Sequence, residues 1–259
     1  MAAFAVSASD ALAQTQYAGS ATVSKGRIAV PLISLTVQPD GNVVGRLAYN
    51  VRCRKTNFPT MTTRLTGRVN GATFTVTGRS RLGSGLGTLR FTLTGTLAPD
   101  SATGQVRLRG CHKYTRTFAL RTPSAPAGAP ALPAPSVPVF GFTSQSAGGV
   151  SLPLALRVAA NGRFYGSWAS TMRCGNRTLA WNNATPVTSV RADGSFVRNE
   201  RFTVRYDDGS SERYRVNFSG RFLADGVSGT LRVRMRYREG RNTNFEPCDS
   251  GVVTWAARP

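Results

Sequence analysis

The chain carries one fold-building pattern twice. Residues 28–53 align without a gap onto residues 149–174, pairing Leu35 with Leu156, Val37 with Val158, Gly41 with Gly162, Gly45 with Gly166, Arg52 with Arg173 and Cys53 with Cys174. The run Gly95, Asp100, Gly104, Arg107, Arg109 returns as Gly220, Asp225, Gly229, Arg232, Arg234, after a four-residue insertion in the second copy. Cys111, Thr117, Ala119 and Arg121 return as Cys248, Thr254, Ala256 and Arg258, once a further twelve-residue insertion before Cys248 is allowed. Two copies are too few for a solenoid or propeller, which closes its core by stacking several units. In a chain of 259 residues, each copy has about 110 to 120 residues, enough to bury a core of its own.

Between the copies, Pro123, Pro126, Pro130, Pro133, Pro135 and Pro138 stand among alanine, serine and glycine. Such a segment favours polyproline II and lacks the side chains for a core. It divides the chain into a first copy at 17–122, a semi-rigid linker at 123–138 and a second copy at 139–259. Ahead of the first copy, residues 1–16 include Ala11, Leu12 and Ala13 before Gln14, the small-residue chemistry of a signal-peptidase site, without a positively charged start. The expectation there is a signal-peptide remnant or a disordered tail. No stretch approaches the roughly 20 apolar residues of a membrane-spanning helix.

Within each copy the apolar pattern has period two. Val43, Leu47, Tyr49, Val51 and Cys53 share one parity, matched by Phe164, Trp168, Ser170, Met172 and Cys174. Asp40-Gly41 and Asn161-Gly162 precede these strands, and Asn70-Gly71, Asp193-Gly194 and Asp207-Asp208-Gly209 punctuate the rest of each copy. These pairs suit tight hairpin turns. Short strands between such turns, with no amphipathic helix among them, predict an all-β fold: two repeated antiparallel β-sandwich or barrel domains.

Four cysteines in matching places, with none left over, fit an oxidising compartment, extracellular or periplasmic. Only pairing within each copy, Cys53 with Cys111 and Cys174 with Cys248, gives both domains the same staple. A zinc site is disfavoured, because no two cysteines are close in sequence and His112 is the only histidine. No residue set suggests a cofactor or metal.

The formal charge is +21, and lysine occurs only at Lys25, Lys55 and Lys113, so the positive charge is nearly all arginine. Leu231 to Arg238 alternates strictly, which puts Arg232, Arg234, Arg236 and Arg238 on one face of a strand. Arg201 and Arg205 alternate with Phe202, Val204 and Tyr206, and Arg213 and Arg215 with Tyr214 and Val216. If these strands are neighbours they form a guanidinium face, with Glu200, Glu212 and Glu239 at hand to dilute it. Guanidinium forks bind phosphate and carboxylate bidentately. The expected partner is therefore an anionic polymer: an envelope glycan, lipid phosphate or nucleic acid held without sequence specificity. The competing explanation is a merely solvated face, written in arginine by the codon usage of a GC-rich genome.

Trp168 and Trp255 occupy core parity, whereas Trp181, in Leu179 to Asn183, could face a sugar ring. Catalysis has little to work with. The acids of the first copy are Asp10, Asp40 and Asp100, two of them in or beside turns, and Asp207 with Asp208 belongs to turn chemistry. His112 adjoins Cys111, and its counterpart in the second copy is Asp249. The expectation is a non-enzymatic protein. The repeated Asp/Asn-Gly turn, Arg-Cys strand end, Thr/Ser-Gly-x-Val/Leu-Arg strand and final Cys with Phe or Trp seven residues on resemble the small exported β-domains of GC-rich bacteria. That resemblance implies export and fold, and no chemistry. A structural or protein-binding module, using sheet edges or the insertion from Tyr237 to Pro247, is the alternative from another class.

Overall fold

The computed structural model of the protein describes residues 14–21, 32–53, 56–82, 86–111, 113–135, 137–159, 161–206, 208–240 and 244–259, with backbone alone at 50, 56–60 and 181–187. No helix occurs among them. The first copy contains β1 (Thr15–Ala21), β2 (Leu32–Val37), β3 (Asn42–Cys53), β4 (Thr56–Asn70), β5 (Thr73–Arg81), β6 (Thr88–Leu97), β7 (Ser101–Arg109) and β8 (Tyr114–Arg121). Each strand pairs antiparallel with the next, and β8 returns to β1, closing an eight-stranded barrel.

The second copy contains β9 (Pro138–Ala147), β10 (Val150–Val158), β11 (Arg163–Cys174), β12 (Arg177–Ser189), β13 (Ser195–Arg205), β14 (Ser211–Leu223), β15 (Gly226–Arg238), β16 (Glu246–Asp249) and β17 (Val253–Arg258). Its sheet runs β12-β11-β10-β9-β17-β15-β14-β13. The counterpart of β8 is β17, which pairs with β15 and β9 as β8 does with β7 and β1, and β16 is a further short strand ahead of it. Because β16 pairs with both β11 and β15, six strands (β11, β10, β9, β17, β15 and β16) close a ring. The β4–β5 ladder of the first copy has no equivalent between β12 and β13.

The turn signals act as read. Gly41 and Gly162 take φ of 77° and 73°, and the preceding Asp40 and Asn161 each accept a hydrogen bond from the backbone N–H two residues on, at 2.9 and 3.1 Å. Strand parity also holds: Val43, Leu47, Tyr49, Val51 and Cys53 lie in the first core, and Phe164, Trp168, Met172 and Cys174 in the second. Cys53 is bonded to Cys111 and Cys174 to Cys248. The repeated glycines make a slot in each barrel. Gly95 faces Gly104, and Gly220 faces Gly229, across adjacent strands. Phe118 and Trp255 lie over these pairs.

Two features go beyond the sequence reading. The linker is docked on the second domain and does not run free. The Ala131 N–H donates to the Phe222 carbonyl at 3.1 Å, the Ala224 N–H to Ala129 at 3.0 Å, and the Ala127 N–H to the Asp225 carboxylate at 2.6 Å. Arg258 clamps Asp225 and donates to the Ala125 carbonyl, both at 2.6 Å. The domains also touch, because β2, β10 and β11 are buried on both faces. Leu32, Ala48, Leu152, Ala155 and Ala169 form an apolar cluster between the barrels, and Arg46 donates across to the Ala147 carbonyl at 2.9 Å. β1 lies against β9, β2 against β10 and β4 against β12, three strands each on its own equivalent, while β3 meets β10 and β12.

Candidate functional site

The arginine face lies on β13, β14 and β15, and hairpin register turns three sequence-local alternations into ordered rows. Inward-facing Tyr214, Val216, Leu231, Val233 and Met235 sit in the core, and Phe202 packs against it. That packing forces Arg201, Arg213, Arg215, Arg234 and Arg236 outward, and all are exposed. A one-residue slip would bury the arginines, so the register is firmly held.

One row runs Arg201, Arg215, Arg234 across β13, β14 and β15, and continues through Asp249 on β16 to Arg173 on β11. The next runs Thr203, Arg213, Arg236, Pro247. Arg205, Ser211 and Arg238 form a third row at the strand ends, and Asn199, Asn217 and Arg232 a fourth. With strands about 4.8 Å apart and alternate residues about 6.8 Å apart along each, the guanidiniums form a lattice of about that spacing. A groove of about 770 Å³ follows it, lined by Arg173, Arg201, Arg213, Arg215, Arg234 and Arg236 with Asp249 as its carboxylate.

Two residues outside the expected set complete the site. Phe245 lies under the second row, with the Arg213, Arg236 and Arg238 guanidinium carbons 4.5, 5.3 and 5.7 Å from its ring centre. Such cation–π contacts hold the guanidiniums in place without neutralising them. Asp249 accepts Arg232 through both oxygens, at 3.2 and 2.7 Å, and lies 3.5 Å from Arg234. The hydrogen bond from Arg232 holds the Asp249 carboxyl below its ordinary range despite partial burial. Asp249 is thus ionised at neutral pH and offsets the charge of Arg232 and part of that of Arg234.

The expected diluting acids do not serve that role. Glu200 shares the parity of Phe202 and Val204, and Glu212 that of Tyr214 and Val216, so both turn away from the face. Glu239 is exposed beyond the end of β15. Glu212 is 2% exposed and accepts a hydrogen bond from the Tyr214 hydroxyl at 2.7 Å. It lines a separate pocket of about 340 Å³ beside the Cys174–Cys248 bridge. Burial pushes its carboxyl above the ordinary value of 4.5, against hydrogen bonds from Tyr214 and Tyr206 that lower it. The folded state therefore holds this proton more tightly than the unfolded chain. The resulting stability is full below the ordinary value and is lost as pH rises through the raised one. Glu212→Gln should remove that loss. In urea unfolding from about pH 4 to about pH 8, the variant should gain on the parent as pH rises, by about 1–3 kcal/mol, the cost of a poorly solvated buried polar group. A difference that does not grow with pH would contradict this account.

Of the remaining candidates, Trp168 and Trp255 are core residues, with Trp255 stacked on Phe218 at 4.9 Å. The Trp181 side chain, His112, Asp207 and residues 1–13 lie outside the described residues. Asp208 accepts the Ser210 N–H at 2.8 Å, as turn chemistry requires. Among the described residues no cluster of histidine, cysteine or acid could hold a metal ion.

Fold and groove together define a class: a tandem of disulfide-stapled antiparallel β-barrels with an arginine-lined face. No protein-family model matches the chain, and neither does any curated protein sequence. Among solved structures it is similar to a protein assigned to the outer membrane of Bacteroides fragilis, at 11% identity and a TM-score of 0.26, covering 95% of this chain and 96% of that one. It is also similar to Transferrin Binding Protein B of Haemophilus parasuis, at 6% identity and a TM-score of 0.25, covering 95% and 75%. At these scores neither likeness bears on function.

Proposed function

We propose that the protein is an exported, non-enzymatic binder of anionic polymers of the cell envelope or exterior, held on the arginine rows of the second domain. One observation carries the reading. Arg201, Arg215 and Arg234 stand directly opposite one another on three consecutive strands, where like charges destabilise a sheet by roughly 0.2–1 kcal/mol per pair. A face needed only for solubility avoids that cost by staggering its charges or alternating their sign. A polyanion removes the repulsion and gains charge-assisted hydrogen bonds. Export is supported by the two disulfides, which persist in oxidising compartments.

The test uses sodium polyphosphate as probe, titrated at several sodium chloride concentrations. Arg215→Gln with Arg234→Gln should lower affinity about 100-fold at low salt, at roughly tenfold per charged hydrogen bond lost. The slope of log affinity against log salt should shallow by about 1.4, at about 0.7 per charge. Without polymer the variant should be slightly more stable than the parent, since two repelling charges are gone. Asp249→Asn should act in the opposite sense on binding, because it frees Arg232 and Arg234: tighter binding and a steeper slope. Unchanged binding in both variants would reduce the face to solvated surface. Retention that survives high salt would favour the protein-binding module instead.

A further inference from the structure

The first domain carries a row of arginines that matches the one in the second domain position by position. Arg79 on β5 faces Arg90 on β6, which faces Arg109 on β7. Phe74 faces Gly95 in one barrel and Phe196 faces Gly220 in the other. Counting from these equivalent pairs, Arg79 corresponds to Arg201, Arg90 to Arg215 and Arg109 to Arg234. All six are exposed. Among the described residues no ion pair engages the first-domain row, which lacks even the carboxylate that Asp249 supplies in the second. Both copies of the repeat therefore keep three aligned, outward arginines on consecutive strands.

Their placement matters as much as their equivalence. The domains meet through β1 to β4 and β9 to β12, centred on β2 and β10. Around the first barrel β6 is four strands from β2 in either direction, the strand diametrically opposite. In the second sheet β14 is likewise four strands from β10, by way of β9, β17 and β15. The two rows therefore point away from each other, at opposite poles of one body. Each arginine fork binds an anionic oxygen, whether of phosphate or carboxylate.

We infer that the protein is a bivalent cross-linker, which holds one linear polyanion on Arg79, Arg90 and Arg109 and a second on Arg201, Arg215 and Arg234. This rests on the binding reading above but assigns a second site and a bridging role. A bivalent linker joins polymer chains into networks, and a monovalent one only coats them.

The experiment measures light scattering of long-chain polyphosphate as protein is added at low salt, with binding followed in parallel on immobilised polyphosphate. The parent should give a scattering peak that declines at excess protein, when each polymer is coated and bridges are lost. Arg90→Gln with Arg109→Gln should still bind with its midpoint shifted by less than about twofold, because the second-domain groove, with Arg213, Arg236 and Arg173 beside its row, dominates the affinity, while scattering falls to baseline. A control with the same charge loss away from the rows, Arg68→Gln with Arg121→Gln, should scatter like the parent. Polygalacturonate as a second arm tells phosphate from carboxylate preference, and network formation on either supports the bridge. If the Arg90/Arg109 variant scatters like the parent, or the control loses scattering equally, the bridge is overturned while the binding reading stands. If the parent fails to bind either polymer at low salt, the binding reading falls, and the bridge with it.

Discussion

Replacing Cys174 and Cys248 together by serine should loosen the second domain by about 2–5 kcal/mol, the usual cost of losing a native disulfide in a small domain. The matching exchange at Cys53 and Cys111 should cost less. In the first barrel β4 pairs with β5, so the ladder closes all the way round without help from the bridge. In the second, the ring closes through β16, four residues long, whose Cys248 faces Cys174 across the ladder. Without the covalent link, few backbone hydrogen bonds hold β16 between β11 and β15. Hydrogen exchange should therefore rise first at Glu246 to Asp249 and at Arg173 and Cys174. Because Asp249 belongs to β16, polyanion affinity should change in the same variant. Equal losses of stability for the two disulfides would contradict this account of ring closure.

Gly229→Ala should cost about 3 kcal/mol, the upper part of the usual range for overpacking a core. A methyl group there would lie 2.0 Å from the Ser219 carbonyl oxygen and 2.6 Å from Trp255 Cζ2. Neither can yield easily, since Ser219 is ladder backbone and Trp255 is stacked between core aromatics. The equivalent Gly104→Ala meets the Thr94 carbonyl oxygen at 2.1 Å and Phe118 at 2.9 Å, so it should be damaging too. Thermal melts of the two variants measure this directly, and a near-neutral Gly229→Ala would mean that the slot is looser than its geometry implies.

The parts of the fold legible in the sequence were those set by period-two burial and by turn chemistry. Val43 to Cys53 could be assigned a face because strand side chains alternate, and the disulfides could be paired because the repeat demands one staple per copy. The domain interface was not legible. Its residues Ala48, Ala155 and Ala169 are small, and small residues read equally well as exposed or buried. The docked linker was hidden for a similar reason, since its anchors are backbone groups that meet Asp225 and Phe222 only after β14 and β15 have formed. At the site, the alternation of Leu231 to Arg238 gave away one strand. Asp249 and Phe245 reach it only through the insertion that precedes β17. The first-domain row was missed because Arg79, Arg90 and Arg109 lie on three separate strands and come together only through register.

The strand-on-equivalent packing of the two barrels also bears on how such a chain could arise. A surface that meets its own copy is what a twofold homodimer uses. A single domain of this kind would therefore carry the means to pair with itself, as a dimer whose population falls on dilution. Joining two copies end to end makes that encounter intramolecular, so pairing no longer depends on protein concentration. In a dilute extracellular setting, fusion of this kind keeps the pair together where two separate subunits would drift apart.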